Sequence, residues 1–285
     1  MNRVAVLMTS HNRREVTLAS LRSLHEQTGI EETEVSILLV DDGSTDGTAN
    51  AVKSKFPKVQ VLEGNGSLYW NRGMHKAFHA ALREGFNAYI LFNDDTRLYA
   101  DAVNRLLACA EARILAEKPA IIAASIRSPI TGEHSYGGWI MLSRGLSRQL
   151  VRVLPHSSDC LSCDTMNGNL TLIPAQVAQV IGNLEERFHH HYGDVDYGLR
   201  AKRAGFEVIV PPGYFGECSD NSSASTWRDK TLPFKKRWKN LMSPKGAPVR
   251  QWILYTWRHY GWRFPLYAAS PYVKTILSSF LRRAR

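Results

Sequence analysis

The stretch Ala88-Tyr89-Ile90-Leu91-Phe92-Asn93-Asp94-Asp95-Thr96 decides the fold class of this 285-residue chain, because it joins an apolar run directly to an acidic cluster. A short apolar run is typical of a buried parallel strand, and open α/β sheets bind ligands just beyond the carboxyl ends of such strands. Asn93 and Asp95 are two residues apart, so an extended segment could point both side chains at one Mg²⁺ or Mn²⁺ ion. A solvated acidic turn that caps the next helix is the alternative interpretation.

Two further apolar runs end in polar residues in the same way. Residues 35–40 lead into Asp41-Asp42-Gly43-Ser44-Thr45-Asp46-Gly47-Thr48, and residues 4–8 lead into Thr9-Ser10-His11-Asn12-Arg13. Glycines permit tight turns at such strand ends, and one of the polar residues 44–46 is suited to cap the helix that follows. Three strand ends that carry convergent polar groups predict an α/β sheet with a binding site at one edge.

The order of these motifs resembles that of an inverting family-2 glycosyltransferase of the GT-A fold, and in particular a rhamnosyltransferase. Residues 9–13 resemble the opening strand-end motif of the family, and residues 40–48 its nucleotide-binding turn. Three later stretches continue the resemblance: Asn71-Arg72-Gly73, Asn93-Asp94-Asp95 and the acidic motif His191-Tyr192-Gly193-Asp194-Val195-Asp196-Tyr197-Gly198-Leu199-Arg200. Together the motifs cover about residues 4–215 in the expected order.

The resemblance implies a GT-A domain with a Rossmann-like nucleotide-binding sheet over residues 1–227, followed by a basic helical extension over residues 228–285. It implies an enzyme that moves a hexosyl or deoxyhexosyl unit from a UDP-, dTDP- or GDP-sugar to a hydroxyl of a glycan or lipid-linked acceptor. Assembly of surface polysaccharide or lipopolysaccharide would be the setting. The sequence selects neither the nucleotide, the acceptor nor the oligomeric state.

The resemblance also implies the residues that hold the donor. They are Thr9, Asn12, Arg13, Asp41, Asp42, Asn71, Arg72 and Asp94, with one or both of the paired aspartates at positions 41 and 42 on the nucleotide base. For Arg72, a phosphate contact and a surface salt bridge are equal alternatives. A divalent cation, Mg²⁺ or Mn²⁺, would be held by Asp95, with Asn93 or Asp94 assisting, and would neutralise the departing diphosphate.

Sugar transfer also needs a base for the acceptor hydroxyl, because the anomeric carbon becomes oxocarbenium-like as the diphosphate leaves. The base must lie on the face of the sugar opposite the metal, and the resemblance places it at Asp194. Asp196 is the alternative base or a supporting carboxylate. The competing interpretation is that both carboxylates merely favour the positive end of a helix.

The acceptor side is predicted from three residues. Trp139 follows two glycines and could stack on a sugar ring, although a large aromatic residue is more often part of the core. Asn167 and Asn169 lie in a stretch that resembles the lining of the family's acceptor pocket.

Two positions depart from the family pattern. Many relatives carry Glu where Gly193 stands, so that carboxylate is missing here. Many also carry His after the next strand, sometimes as a third metal ligand, where this chain reads Gly216-Glu217-Cys218. The three histidines at residues 189–191 could substitute as ligands or form a polar loop.

Basic residues are concentrated at the C-terminal end. The chain has 36 Lys and Arg against 26 Asp and Glu, and residues 228–285 hold fourteen Lys and Arg and one acid, Asp229. Apolar residues recur at helical spacing in three segments of this region: Phe234, Trp238, Leu241 and Met242; Ile253, Trp257, Tyr260 and Phe264; Val273, Ile276, Leu277, Phe280 and Leu281. No run reaches the roughly 20 apolar residues that span a bilayer.

Basic amphipathic helices that carry Trp and Phe suit an anionic membrane surface, so we expect the extension to dock on the cytoplasmic leaflet. Packing on the catalytic domain is one alternative. Nucleic-acid binding through the positive charge is another, but no nucleic-acid motif is present. The first residues lack a secretory apolar segment, and we therefore expect a cytoplasmic protein that is peripheral on the membrane.

Two other functions compete with sugar transfer. A nucleotidyltransferase uses a similar sheet and metal, but the glycine-rich phosphate loop expected near its first strand is absent from this sequence. A degenerate module would bind sugar or nucleotide without turnover, and the presence of both Asp95 and Asp194 argues against it.

Overall fold

The computed structural model describes residues 1–144, 146–220 and 225–280, and strands and helices alternate along most of them. The strands are β1 (Arg3–Ser10), β2 (Glu34–Asp41), β3 (Gln60–Glu63), β4 (Ala88–Phe92), β5 (Arg97–Leu98), β6 (Ala120–Ala123), β7 (Ser125–Arg127), β8 (His134–Tyr136), β9 (Gly138–Arg144), β10 (Ser147–Arg152), β11 (Leu161–Cys163), β12 (Thr165–Met166), β13 (Leu170–Pro174), β14 (Glu207–Val210) and β15 (Tyr214–Glu217).

The helices are α1 (Arg14–His25), α2 (Thr48–Lys55), α3 (Tyr69–Leu82), α4 (Ala102–Leu115), α5 (Ala175–Ile181), α6 (Gly193–Arg203), α7 (Phe234–Met242), α8 (Val249–Tyr260) and α9 (Phe264–Phe280), with a 3₁₀ turn at Gly261–Arg263. Leu281, predicted to end the last apolar segment, lies outside the described residues.

A central sheet of eight strands has the order β11-β14-β6-β13-β4-β1-β2-β3. β1 pairs in parallel with β2 and with β4, and β2 pairs in parallel with β3. The carboxyl ends of these strands therefore share one edge, where Ser10 pairs with Asp41. The predicted α/β sheet is confirmed. β13 lies antiparallel between β4 and β6, which the sequence analysis did not predict.

Both faces of the central sheet are covered by helices. Every residue of β4 is buried, as a strand in the middle of a covered sheet should be. Alternate residues of β1 enter opposite cores: Val4, Val6 and Met8 pack with α1 and α4, whereas Ala5 and Leu7 pack with α3 and α6.

Two smaller sheets flank the central one. One has the order β5-β15-β7-β8, and the other has the order β10-β9-β12. The β9–β10 hairpin reaches the C-terminal extension, because the Tyr267 hydroxyl donates a hydrogen bond to the Leu146 carbonyl at 3.1 Å.

The loop after β2 is fixed by Asp46, one of the three candidates for the helix cap. Its Oδ1 accepts the Thr48 N–H at 3.0 Å and its Oδ2 accepts the Arg14 N–H at 2.9 Å. One carboxylate thus satisfies backbone donors at the start of both α1 and α2. The hydrogen bond from the Thr48 hydroxyl holds the pKa of Asp46 below its ordinary value.

The extension folds into helices α7, α8 and α9. The second predicted segment is shorter than expected, because α8 ends at Tyr260 and Phe264 is the first residue of α9. Aromatic residues of α8 pack against the region around α6, in a cluster that includes Phe188, Tyr255 and Tyr260. One face of α8 therefore packs on the rest of the fold. The opposite face carries Ile253 and Trp257, which remain 41% and 65% exposed. Within the described ranges, no helix combines the length and apolar character that a membrane span requires.

A buried ion cluster joins α6 to α8. Asp196 has no exposed surface, and its carboxylate contacts Arg200 Nε at 2.8 Å, Arg258 Nη1 at 2.7 Å and His259 Nε2 at 2.8 Å. Burial alone would raise the pKa of Asp196, but the His259 hydrogen bond and the two guanidinium groups outweigh it and lower the pKa. Burial lowers the pKa of His259, so this ring is neutral at pH 7 and donates its Nε2 proton. Asp196 therefore ties the extension to the helix that carries Asp194.

We expect Asp196→Ala to loosen the extension, because it leaves Arg200 and Arg258 without their buried counter-charge. Removal of one partner from a buried ion pair costs about 3 to 5 kcal/mol, and urea unfolding should show a loss of that order. Limited proteolysis should also cut within residues 228–285 faster. Asp159→Ala is the control, because Asp159 is 72% exposed and its one ion pair within the described residues is with His156. An unchanged cleavage rate in Asp196→Ala would show that Asp196 does not hold the extension.

Candidate active site

The loops after β1 and β2 meet through Asn12. Its N–H donates to Ser44 Oγ at 2.8 Å, and its Oδ1 accepts the Thr45 N–H at 2.7 Å. The Asn12 backbone has φ +53°, in the left-handed region that Asn tolerates better than most residues. Two of the predicted strand-end motifs therefore form one continuous surface.

The paired aspartates after β2 have different environments. Asp42 is buried, and its carboxylate accepts the backbone N–H groups of Gly66, Leu68 and Tyr69 at 2.8, 2.9 and 3.0 Å. The Asp41 carboxylate accepts the Ser44 N–H through Oδ2 at 3.3 Å, and its buried Oδ1 has no hydrogen-bond partner among the described residues. Asp42 is thus committed to the loop before α3, whereas Asp41 keeps an unused acceptor.

Thr9 and Asn71 lie in the interior beneath this surface. Thr9 packs against Gly73, where a Cβ would lie 2.1 Å from Thr9 Oγ1. Asn71 Nδ2 donates to the carbonyls of Glu185 and Phe188 at 2.8 and 2.7 Å. Both residues therefore hold α3 in place.

The contact between Asn71 and Gly193 explains one departure from the family pattern. A Cβ at Gly193 would lie only 1.5 Å from Asn71 Oδ1, so the amide fills the space that a side chain at this position would need. The glutamate that many relatives carry here has no room unless the Asn71 side chain shifts and gives up its hydrogen bonds to the Glu185 and Phe188 carbonyls.

Arg72 follows Asn71 but points to different neighbours. Its Nε donates to the Glu186 carbonyl at 3.0 Å. Within the described part of the chain it forms no ion pair, so the salt bridge weighed as its alternative role is not formed there.

Arg13 pairs with both carboxylates of the acidic triplet after β4, Asn93-Asp94-Asp95. The Arg13 guanidinium donates to Asp94 Oδ1 at 3.0 Å and to Asp95 Oδ2 at 2.8 Å. Burial raises the pKa of Asp94 to about 6, with Arg13 opposing the shift and Asp95 adding to it. The Cys218 thiol lies 3.4 Å from Asp95 Oδ1, and burial together with this carboxylate raises the pKa of Cys218 to about 12. Cys218 is therefore a protonated thiol.

The two predicted metal ligands contact different neighbours. Asn93 Oδ1 accepts the Trp70 Nε1 proton at 2.6 Å, whereas Asp95 faces Arg13 and Cys218. No group of three His, Cys, Asp or Glu side chains that could hold a metal occurs in the ranges the structure describes. The residues fit a cation held by one protein carboxylate and by ligand oxygens, because Mg²⁺ is commonly bound through one or two carboxylates plus phosphates.

Asp194 lies in the first turn of α6 and is partly exposed. Its Oδ2 accepts the Gly168 N–H at 3.0 Å and its Oδ1 accepts the Val195 N–H at 2.8 Å. Burial raises the pKa of Asp194, although these hydrogen bonds and His191 oppose the shift. The carboxylate is therefore held in one orientation and is more basic than an ordinary aspartate. Asp196, its predicted alternative, faces the buried ion cluster.

Trp70 is a residue of this site that the sequence analysis missed. Its ring lies against Gly168, where a Cβ would be 2.4 Å from Trp70 Cζ2, and its Nε1 reaches Asn93. Trp70 therefore connects the acidic triplet to the backbone that orients Asp194. The only local signal in the sequence was the position of Trp70 directly before the motif Asn71-Arg72-Gly73.

The predicted acceptor residues fall into two places. Trp139 is half-buried and its Nε1 donates to Asn167 Oδ1 at 2.7 Å. Asn169 instead faces the acidic triplet: its carbonyl accepts the Asn93 N–H at 3.0 Å, and its Nδ2 lies 3.9 Å from Cys218 Sγ. The structure thus brings Trp139 and Asn167 together and separates Asn169 from them.

The three predicted histidines form a polar loop. His191 Nε2 contacts the Lys245 carbonyl at 2.9 Å, and burial lowers the pKa of His190 to about 3. Neither ring contacts the acidic triplet after β4.

Comparison with known proteins identifies the family and the fold. Residues 5–151 match the family described as Glycosyl transferase family 2. N-acetylglucosaminyl-diphospho-decaprenol L-rhamnosyltransferase of Mycobacterium tuberculosis is 23% identical over 258 residues, which cover 82% of this chain and 79% of that protein.

Two solved structures share the fold. Mannosyltransferase PcManGT from Pyrobaculum calidifontis, in complex with GDP-Man and Mn²⁺, has a TM-score of 0.53 at 15% identity, over 99% of this chain and 79% of that one. TarS 1–349 of S. aureus, in complex with UDP, has a TM-score of 0.54 at 13% identity, over 92% of this chain and 72% of that one.

The matched segment extends over just over half of the chain and contains the edge formed by β1, β2 and β4. The fold is that of the GT-A glycosyltransferases, and the protein is a glycosyltransferase. By its motifs, its sheet and these matches, the chain belongs to glycosyl transferase family 2.

Proposed function

We propose that this enzyme transfers a sugar, with inversion, from a nucleotide-diphosphate donor to a hydroxyl of a lipid-linked glycan acceptor, and that Asp194 is the base. The environment of Asp194 carries the proposal. This carboxylate is partly exposed, oriented by the Gly168 N–H and shifted to a higher pKa by burial. A base is most effective when its pKa approaches the working pH.

The unused acceptor on Asp41 suits the nucleotide base of the donor. Uracil, thymine and guanine all present an N–H group, so this contact is compatible with UDP, dTDP and GDP. Asn12 and Arg13 line the same edge and would contact the ribose and phosphates. Thr9 and Asn71 would act from beneath, by positioning α3.

The departing diphosphate needs positive charge at the acidic triplet. The Arg13 guanidinium can bind phosphate through two parallel hydrogen bonds. A bound Mg²⁺ or Mn²⁺, held by Asp95 with Asn93 or Asp94 nearby, would supply further positive charge to the diphosphate. The complex of PcManGT with Mn²⁺ supports this assignment.

On the opposite side of the sugar, Asp194 would take the proton of the acceptor hydroxyl as its oxygen bonds to the anomeric carbon. The bond from that carbon to the diphosphate breaks in the same step, so the configuration inverts. Trp139 and Asn167 would bind the acceptor glycan. Asp196 would be a positioning residue, because its carboxylate is fully buried.

The acceptor class is inferred from the relative and from the extension. The mycobacterial relative is named for a diphospho-decaprenol acceptor. The extension exposes Ile253, Trp257, Trp262 and Leu266 among its basic residues, a combination that suits an anionic membrane surface. We therefore place the enzyme at the inner membrane surface, in polysaccharide or lipopolysaccharide assembly, with a deoxyhexose such as rhamnose as the transferred sugar.

Asp194→Asn should lower kcat by about 10²- to 10⁴-fold, the usual contribution of a general base, and leave donor affinity within about twofold. The base must be ionised, so the wild-type rate should fall as the pH drops through the raised pKa of Asp194, above the ordinary aspartate value of 3.8. Steady-state kinetics over pH 4 to 8 measures both effects. Asp159→Asn, at an exposed surface position, is the control. Normal turnover by Asp194→Asn would remove it as the base.

Asp41→Asn and Asp42→Asn should have different consequences for the donor site. Asp41→Asn should weaken donor binding about tenfold with little change in Tm, because the amide oxygen can keep the Ser44 hydrogen bond while the amide nitrogen replaces the unused acceptor. Asp42→Asn should lower Tm of the free protein, because three backbone N–H groups depend on its carboxylate.

A thermal-shift screen of the wild type and of both variants uses UDP-, dTDP- and GDP-sugars, each with Mn²⁺ or with EDTA. It measures donor binding and the dependence of that binding on the metal. We expect one nucleotide class to stabilise the wild type, and EDTA to reduce the effect. No response to any donor would contradict the proposed transfer.

The paired change Trp257→Ser and Trp262→Ser should weaken binding to phosphatidylglycerol vesicles about tenfold or more, because each exposed indole would lose its burial at the interface. Vesicle flotation of the full chain measures this. Leu115→Ser is the matched control, since Leu115 is 84% exposed on α4, outside the extension. Equal flotation of all three proteins would exclude this face as the docking surface.

A further inference from the structure

A cavity of about 420 Å³ lies where the loop before α6 meets the extension. Its lining consists of Arg72, Arg187, His189, Arg250, Gln251 and Leu254. Three of these six residues carry a guanidinium group and none carries a carboxylate. The volume is within the range of about 300 to 1,000 Å³ that is usual for small-molecule sites.

The positive charge of the cavity is only partly neutralised. Arg187 pairs with Glu185 at 2.7 Å, but the same carboxylate also serves Arg258 at 2.7 Å. Neither Arg72 nor Arg250 forms an ion pair with any residue that the structure describes. Three guanidinium groups with only one carboxylate partner indicate a site for an anion, and their fork geometry matches phosphate oxygens.

The start of α8 adds to this positive potential. Arg250 and Gln251 lie in the first turn of α8, which contains no acidic residue. The N-terminal end of a helix carries partial positive charge, so an arginine there is unfavourable unless an anion lies nearby. A bound phosphate would relieve that repulsion.

Neutral donors complete the lining. Gln251 Oε1 accepts the His189 N–H at 3.1 Å, which leaves the two protons on its Nε2 for a ligand. Burial and the charge of Arg72 lower the pKa of His189, so its ring is neutral at pH 7 and keeps one donor.

An apolar track leads away from the cavity along α8. Leu254 lines the cavity four residues after Arg250, and Trp257 follows three residues later on the same side of the helix. Trp257 is 65% exposed. A polyanionic group beside an apolar strip matches the chemistry of a lipid diphosphate.

We propose that this cavity binds the diphosphate of the lipid-linked acceptor, with the first part of the hydrocarbon chain along Leu254 and Trp257. This inference rests on the proposed transfer to a lipid-linked acceptor and adds where the acceptor phosphates bind. Residues of α3, of α8 and of the loop before α6 form the site. The extension, which contains α8, would therefore take part in acceptor recognition as well as in membrane contact.

Calorimetric titration of the full chain with inorganic pyrophosphate and with farnesyl diphosphate tests the site directly. We expect both to bind, and farnesyl diphosphate to bind more tightly. Arg250→Gln should weaken both by about tenfold or more, since a hydrogen bond to a charged group is lost. Lys274→Gln removes one exposed charge from the extension outside the cavity and should change nothing. If Arg13→Gln abolishes pyrophosphate binding and Arg250→Gln does not, the anion binds at the donor site and the proposal is wrong.

Two further measurements separate the possible sources of the phosphate. In transfer assays, Arg250→Gln should raise KM for a lipid-diphosphate acceptor about tenfold, with donor KM unchanged. Equal affinity for farnesyl diphosphate and pyrophosphate, together with competition by phosphatidylglycerol vesicles, would assign the cavity to phospholipid headgroups and overturn the acceptor assignment. The pyrophosphate titration needs no nucleotide sugar, so its result stands apart from any failure of the donor screen.

Discussion

A carboxylate with no access to solvent must be neutralised from within the protein, and the arrangement around Asp196 follows from that requirement. Its charge is met by Arg200 of its own helix and by Arg258 and His259 of the extension. Successive helical residues are turned by about 100°, so Asp194 points roughly 200° away from Asp196. One short acidic motif thus supplies both Asp194 for the candidate active site and Asp196 as an anchor for the C-terminal helices. The same anchor helps to hold α8 where Gln251 contacts the loop before α6.

The sequence predicted those parts of the fold that depend on local pattern. β1, β2 and β4 are nearly continuous apolar runs, and α6 begins within the acidic motif. The positions of these elements, and of the polar residues at the carboxyl ends of the strands, could therefore be inferred from the sequence. The antiparallel direction of β13 could not, because an apolar run carries no information about its direction. The contact of Trp70 with Asn93 likewise joins residues 23 positions apart and depends on how α3 is docked.

The paired aspartates show the same limit at the level of the site. Asp41 and Asp42 are chemically identical neighbours, and only the return of the chain through Gly66, Leu68 and Tyr69 makes one of them structural. In the extension, the residue counts revealed the positive charge, and the order of the apolar residues revealed the helical spacing. They could not reveal that α8 buries Tyr255 and His259 while Ile253 and Trp257 stay exposed, because the choice depends on the buried partner Asp196.

The overlap of Asn71 with the space beside Gly193 limits how the sequence of this enzyme can drift. A side chain cannot be gained at 193 while the amide at 71 remains, and the amide cannot be lost without releasing the carbonyls of Glu185 and Phe188. An exchange toward the more common glutamate therefore needs two changes, and each one alone passes through a less stable intermediate. The residues at positions 71 and 193 should therefore be inherited as a pair.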